Sequence, residues 1–420
     1  MKKVNRISEY NKAKNQYCGT TLLRFILCGF DGRRIELFKT KSLLILFFGV
    51  MTFNLISFSS HAQTVQVLAV GGGGGGAFGG GGGGGYQYNS SFAVTSQAYT
   101  VIVGEGGSGK NGWDVNGVNG TNSVFSTITA YGGGGGAKYP NAGYTGNGVD
   151  GGCGGGGSCQ HNEGTFTGGA GSQGYNGGTN GGYRGIDNPV AQGVAGGGGG
   201  AGAVGGNATS TSVAGNGGNG LSNSISGTSV YYAGGGGGCV YEVGTPGTGG
   251  NGGGGNGGHT TLDGTSGTAN TGGGGGGGGN GQLGGNGGSG IVIIAYPTGA
   301  LSATGGTITT SGGNTIHTFT SSGTFNVLPA PATVDWNKSN VQEITLTANR
   351  SFTFTNGKSG GVYSLLVKQN STGGYTVTWP ASIKWIGVTA PTLNTGANAT
   401  ALIKFLYDGT NYLENGIFQY

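Results

Sequence analysis

The stretch of this chain that most resembles chemistry is Gly104-Glu105-Gly106-Gly107-Ser108-Gly109-Lys110-Asn111. Its spacing approaches G-x-x-x-x-G-K-[ST], in which backbone N–H groups and a lysine cradle phosphates while a hydroxyl meets magnesium. Asn111 stands where the hydroxyl is required. The residues that follow, Gly112-Trp113-Asp114-Val115-Asn116-Gly117, cannot start the helix that the pattern needs. With 108 glycines among 420 residues, such matches and the G-x-G-x-x-G matches arise by composition alone. The four histidines, His61, His161, His259 and His317, enter no Ser/His/Asp arrangement legible in the sequence. The acids are scattered, with no close pair of the kind that hydrolyses glycosides. The reading is of no enzyme, no catalytic residue and no cofactor.

Five cysteines occur, and Cys153, Cys159 and Cys239 remain once a leader is set aside. An exported chain meets oxidising conditions, so one disulfide and one spare thiol are expected. Cys153 and Cys159 are close enough in sequence to be the pair. A zinc site would have to add His161 or His259, but the tight C-x2-C spacing is missing, so no metal is expected.

The leader is residues 1–62. Residues 1–41 hold ten Lys/Arg against three acids, and the apolar run 43–58 follows. Ser59-Ser60-His61-Ala62 then supplies small residues for a cleavage site, so a secretory signal cut after Ala62 is expected. The apolar run is shorter than the ~20 residues of a membrane helix, and Asn54 and Ser57 interrupt it. An uncleaved anchor is the alternative. The chain is formally +5, but residues 63–420 carry nine Lys/Arg and eleven Asp/Glu. With no basic cluster left, neither nucleic acid nor a membrane surface is an expected partner.

The elements that would position any site divide by texture. Residues 63–297 carry glycine runs at 71–76, 79–85, 132–136, 196–200, 234–238 and 272–279. Residues 298–328 are a Thr/Ser-rich hairpin-like linker, with 307–310 and 315–320 flanking Ser311-Gly312-Gly313-Asn314. Residues 329–420 read as a β module with alternation in 344–347, 352–355 and 375–379 and turns at Asn356-Gly357, Gly373-Gly374 and Asp408-Gly409. A small antiparallel sandwich is expected there.

Glycine loses more backbone freedom on folding than any other residue and buries no side chain. A glycine-rich linker would be a flexible coil. Here, however, β-branched and aromatic segments at 65–70, 99–103, 124–131, 230–233 and 291–296 sit beside the runs, and several pass straight into one. An ordered domain is expected, with 65–70 and 291–296 paired in one sheet. An α-helix is disfavoured in polyglycine by roughly 1 kcal/mol per residue against alanine. The three-fold extended helix leaves its backbone groups pointing outward, and without Cβ atoms such helices can bond one another. The fold class expected is therefore mostly β: a polyglycine-II-like helix bundle with a strand layer, then a small sandwich. The polar, aromatic segments between runs are the candidate recognition loops, carrying Tyr86, Tyr88, Phe92, Trp113, Tyr139, Tyr183, Arg184 and Tyr241. Capping of the strand layer is the plainer role for these rings.

Residues 65–70 with their glycines, through Gly290-Ile291-Val292-Ile293-Ile294-Ala295-Tyr296, resemble the glycine-rich domain of phage tail-fibre adhesins and bacterial surface proteins. There is a more distant likeness to the glycine-rich region of anaplastic lymphoma kinase-type receptors. Residues 318–327 look like a segment common beside that domain, placed here after it. Trp379-Pro380-Ala381-Ser382-Ile383-Lys384-Trp385, Ala390-Pro391-Thr392-Leu393 and Phe405-Leu406-Tyr407-Asp408-Gly409-Thr410-Asn411-Tyr412 resemble the terminal β module of phage tail and virion fibres, and 346–350 fits the same module. The resemblance implies packed polyglycine helices with receptor-contacting loops at one end, and a homotrimer. An export signal departs from the tail-fibre pattern and favours a bacterial secreted or surface protein. The function expected is a non-enzymatic, secreted or cell-surface adhesin for a receptor or glycan. A secreted matrix protein without a defined receptor is the alternative. An ice-binding protein is the third reading, disfavoured by irregular aromatic loops and by the lack of Gly-x-x periodicity.

Overall fold

The computed structural model describes residues 63–420 except 114, 141–145, 160–163, 182–192 and 211. The expected leader and cleavage site, Tyr183 and Arg184 lie outside the described residues. The segment at the start of the described residues forms β1 (Gln63–Val70) and continues into the first glycine run. Next come β2 (Tyr86–Val94), β3 (Ala98–Ile102), β4 (Ser123–Phe125), β5 (Ile128–Ala130), β6 (Leu221–Asn223), β7 (Val230–Tyr232) and β8 (Ile291–Pro297). The Thr/Ser-rich stretch adds β9 (Ala303–Thr304), β10 (Thr307–Ser311), β11 (Asn314–Phe319) and β12 (Gly323–Val327).

Two five-stranded sheets result, ordered β10-β11-β8-β1-β2 and β5-β4-β3-β12-β9. β1 and β8, the strands that bracket the glycine-rich region, pair in one sheet as expected, and they do so antiparallel. Val67–Val70 of β1 and Ile291–Tyr296 of β8 are continuously apolar because both of their faces are covered. Val65, Val67, Ala69, Val292, Ile294 and Tyr296 face the second sheet, where Phe125 and Phe325 are fully buried. Leu68, Val70, Ile291, Ile293 and Ala295 pack on the opposite side with Ile225 and Tyr232 of the β6–β7 region. The hairpin β10–β11 forms around Ser311–Asn314 and bonds to β8, while β12 bonds to β3, so this stretch is woven into both sheets. The buried His317 is satisfied as a neutral ring. Its Nδ1–H donates to Gly305 O at 2.7 Å, and its Nε2 accepts from the Tyr296 hydroxyl at 2.8 Å.

The glycine runs leave these strands at one end and follow no strand or helix pattern. Each is hydrogen-bonded along its length to several others, with partners that rotate every three residues. The N–H groups of Gly71 and Gly74 donate to Gly85 O and Gly82 O; those of Gly72 and Gly75 donate to Thr121 O and Val118 O; those of Gly73 and Gly76 donate to Gly288 O and Gly285 O. The return run repeats the scheme: Gly79, Gly82 and Gly85 bond to 131–137, Gly80 and Gly83 to 196–199, and Gly81 and Gly84 to 272–275. A Cβ on any of the first six glycines would overlap a backbone carbonyl of a neighbouring run. On the outer runs, side-chain amides replace missing carbonyls. Asn116, Asn119 and Asn122 accept from the N–H groups of Lys138, Gly135 and Gly132. Asn216 and Asn219 do the same for Thr248 and Asn251. Among the described residues there are strands and turns and no helix, so the expectation of a helix bundle is met only in its broader half, a mostly-β fold.

The C-terminal strands are β13 (Ala332–Asp335), β14 (Val341–Leu346), β15 (Arg350–Thr355), β16 (Val362–Gln369), β17 (Val377–Thr378), β18 (Ile383–Lys384), β19 (Thr400–Tyr407) and β20 (Tyr412–Gln419). They form sheets β13-β15-β17 and β14-β16-β19-β20-β18. The sandwich is mixed, not purely antiparallel. β13, β15 and β17 pair in parallel, as do β14 with β16 and β18 with β20. The cause is the path of the chain, which steps from one sheet to the other at each turn through β17 and so returns to each sheet in the same direction. Leu346, Leu365, Ile403 and Phe405 are fully buried between the two layers, with Trp336 stacked on Tyr363 at 4.5 Å.

Candidate functional site

The glycine runs carry the intervening loops away from the sheets. Residues 71–76 rise from β1, the chain turns at Ala77-Phe78-Gly79, and 79–85 returns to β2. An extended chain rising about 3.1 Å per residue places Phe78 roughly 20 Å beyond the strand ends. Three candidate recognition residues meet there. Trp113 lies edge-on to Phe78 at 5.7 Å, Tyr139 is at 5.7 Å and Tyr241 stacks at 6.2 Å. Trp113 and Tyr139 are 4.8 Å apart. Phe78 is fully buried, whereas the three rings around it are partly exposed. Gly112, at φ +78, supplies the tight turn into Trp113, and a Cβ there would come within 2.5 Å of the Phe78 ring. Tyr139 N–H donates to Gly112 O at 2.6 Å and Tyr241 N–H to Gly193 O at 2.8 Å, so the loops are tied at their bases. Burial, followed by nearby Cys159 and Glu242, pushes the Tyr241 hydroxyl above its ordinary range, leaving it a neutral donor. The surface offered is aromatic and uncharged at its centre, suited to stacking and hydroxyl hydrogen bonds.

The other candidates lie elsewhere. Tyr86, Tyr88 and Phe92 are not on a loop but on β2, an edge strand whose solvent face tolerates polar residues. The Tyr86 hydroxyl accepts from Asn223 at 2.7 Å. The Tyr88 hydroxyl donates to Gln66 at 3.1 Å, with the side chain 43% exposed. Phe92 packs on Phe125 at 5.4 Å and belongs to the core between the sheets.

The expected Cys153–Cys159 disulfide is corrected by the fold: both thiols are free and buried, as is Cys239. The intervening segment runs beside 79–85, with Cys153 N–H bonded to Gly83 O and Gly156 N–H to Gly80 O. Six residues of extended chain separate the two cysteines by about 19 Å, far beyond the reach of a disulfide. The phosphate-like pattern is equally unavailable. The N–H groups of Gly104, Glu105, Gly107, Gly109 and Lys110 are bonded to Ser123, Thr121, Gly73, Asn286 and Gly76. Among the described residues, no three His, Cys, Asp or Glu side chains gather as metal ligands.

A family model described as a glycine-rich domain matches residues 50–297. The chain belongs to the glycine-rich domain family. A second model, described as "Putative phage tail fibre C-terminal domain", matches residues 319–412. No curated protein and no solved structure matches the chain. The glycine-rich match takes in strands β1 to β8 with the glycine runs and loops between them. The tail-fibre match begins at the end of β11, takes in β12 to β19 and ends at the first residue of β20.

Proposed function

We propose that this is a tail-fibre-like structural protein with no catalytic role, whose distal aromatic loops contact a receptor or glycan on a cell surface. The observation that carries the reading is the meeting of Phe78, Trp113, Tyr139 and Tyr241, from four separate loops, at the end of the rods farthest from the sheets. Its company with a tail-fibre C-terminal domain match supports the fibre-like part. The three-residue rotation of hydrogen-bond partners supports reading the runs as polyglycine-II-like rods, each nested among others in place of a side-chain core. We read 63–297 as this recognition domain, 298–328 as the strands that close its base and 329–420 as the assembly module, a homotrimer on the tail-fibre resemblance. Residues 1–62 act as the export leader, which places the mature protein outside the cell. A matrix protein without a receptor is the competing role.

The test is binding of the fluorescently labelled full chain to intact bacterial cells. Trp113→Ala, Tyr139→Ala and Tyr241→Ala each remove ring area from the distal surface, and a loss of tenfold or more is expected from an aromatic hot spot, about 1.4 kcal/mol or above. Tyr88→Ala, at the opposite end, leaves binding unchanged. Equal binding by all four variants would assign the aromatic cluster to packing alone.

A further inference from the structure

The fold chooses among the three buried cysteines. Cys159 ends the segment that begins at Cys153, and Cys239 ends the run 234–238. Both are fully buried in one small cluster with Phe78 and Ala195, directly beneath the aromatic loops. The backbone fixes this meeting. Ala195 N–H donates to Cys239 O at 3.0 Å, Cys239 N–H donates to Phe78 O at 3.2 Å, and Gly196 N–H donates to Gly157 O at 3.0 Å. The three segments that carry Cys159, Ala195 and Cys239 thus lie side by side. Cys153 belongs to a different cluster, with Leu68, Val70 and Ala201, and its thiol donates to Gly84 O at 3.5 Å.

We propose that Cys159 and Cys239 form an intramolecular disulfide cross-link site, with Cys153 as the spare thiol. Closure takes rotation of two side chains already in one cluster and leaves the glycine rods in place. It ties the end of the segment 153–159 to the base of the loop through Tyr241. Pairing Cys153 with either of the others would require pulling a rod out of its hydrogen-bonded neighbours.

The chemistry is thiol–disulfide exchange with a low-molecular-weight disulfide R–S–S–R. One cysteine thiolate attacks a sulfur of R–S–S–R, forming a mixed disulfide and releasing R–S⁻. The second cysteine thiolate then attacks the protein sulfur, forming the Cys159–Cys239 bond and releasing the second R–S⁻. The two cysteines lose two electrons and two protons, and the reagent is reduced to two R–SH. Burial, then the neighbouring Cys159 thiol, pushes Cys239 well above its ordinary value, and burial pushes Cys153 up to about 12. Thiolates are the attacking species, so the bond closes while the chain is still folding, before packing shuts out the reagent.

The experiment is peptide mapping of the full chain refolded in a glutathione redox buffer, then alkylated and digested without reduction. The expected product is one peptide pair linking Cys159 to Cys239, with Cys153 alkylated only after denaturation. Reductant should lower the melting temperature by several degrees in the unaltered chain and in Cys153→Ala, and should leave Cys239→Ala unmoved. Cys159 and Cys239 both free after oxidative refolding would overturn the proposal, as would a bridge containing Cys153. The map is read on the unaltered chain, so a variant that fails to fold does not blunt it. The outcome is independent of whether the aromatic loops bind a receptor.

Discussion

Gly74 sits in the middle of the first run, and replacing it with alanine tests how the rods pack. A Cβ built there overlaps the Gly134 carbonyl oxygen and lies 2.5 Å from Gly134 C and 2.9 Å from Gly133 O. Ordinary contact begins at about 3.5 Å, so one rod must retreat by roughly 1 Å. That movement strains two bonds at once: Gly74 N–H to Gly82 O at 2.8 Å, and Gly82 N–H to Gly134 O at 2.8 Å. Overpacking costs about 1–3 kcal/mol, and two lost hydrogen bonds cost about 1 kcal/mol each. The stiffer unfolded chain returns up to about 1 kcal/mol. The net loss is about 2–4 kcal/mol, which at about 2–4 °C per kcal/mol lowers the melting temperature by at least about 4 °C. Gly387→Ala is the control, because a Cβ there meets nothing within 4 Å. Differential scanning calorimetry on both variants gives the comparison. If Gly74→Ala melts with Gly387→Ala, close backbone packing is not what holds the runs.

Further outcomes follow from single residues. Phe78→Ala removes the fully buried ring on which three others rest and should cost about 3–5 kcal/mol, with faster proteolysis of the distal loops as a second readout. His317 is held below its ordinary value of 6.5 by burial, against the opposing hydrogen bond to Gly305. The unfolded chain therefore takes up the proton first, so stability present above pH 6.5 is lost as pH falls from there through the lower folded value; His317→Gln should flatten this part of a urea-denaturation pH series. The exposed Lys368–Glu343 pair at 2.8 Å should matter little: Glu343→Ala should shift stability by less than about 1 kcal/mol in the same assay.

The strands were legible because β-branched runs such as 65–70 and 291–296 have no helical period and sit against glycine. The pairing of those two strands followed from their bracketing the region. The direction of pairing in the C-terminal module was hidden, because alternation within a strand says which face is buried and nothing about which strand lies beside it. Tyr86, Tyr88 and Phe92 read as loop residues in the sequence because an edge strand with one wet face is as polar as a loop. The cysteine pairing failed for a related reason: six residues are close in sequence yet far apart along a rod. The meeting of Trp113, Tyr139 and Tyr241 depends on how far each run carries its loop, a distance that run lengths encode but composition does not. Asn116, Asn119 and Asn122 fall three residues apart, the spacing at which an outer rod presents acceptors to its neighbour.

The central claim is that the glycine runs are held by hydrogen bonds between rods. Residue-resolved amide exchange of 71–85, 196–199, 234–238 and 273–277 tests it most directly. The account predicts protection in these runs equal to that of the buried strands β1 and β8. Exchange at random-coil rates in the runs, with the strands still protected, would contradict it.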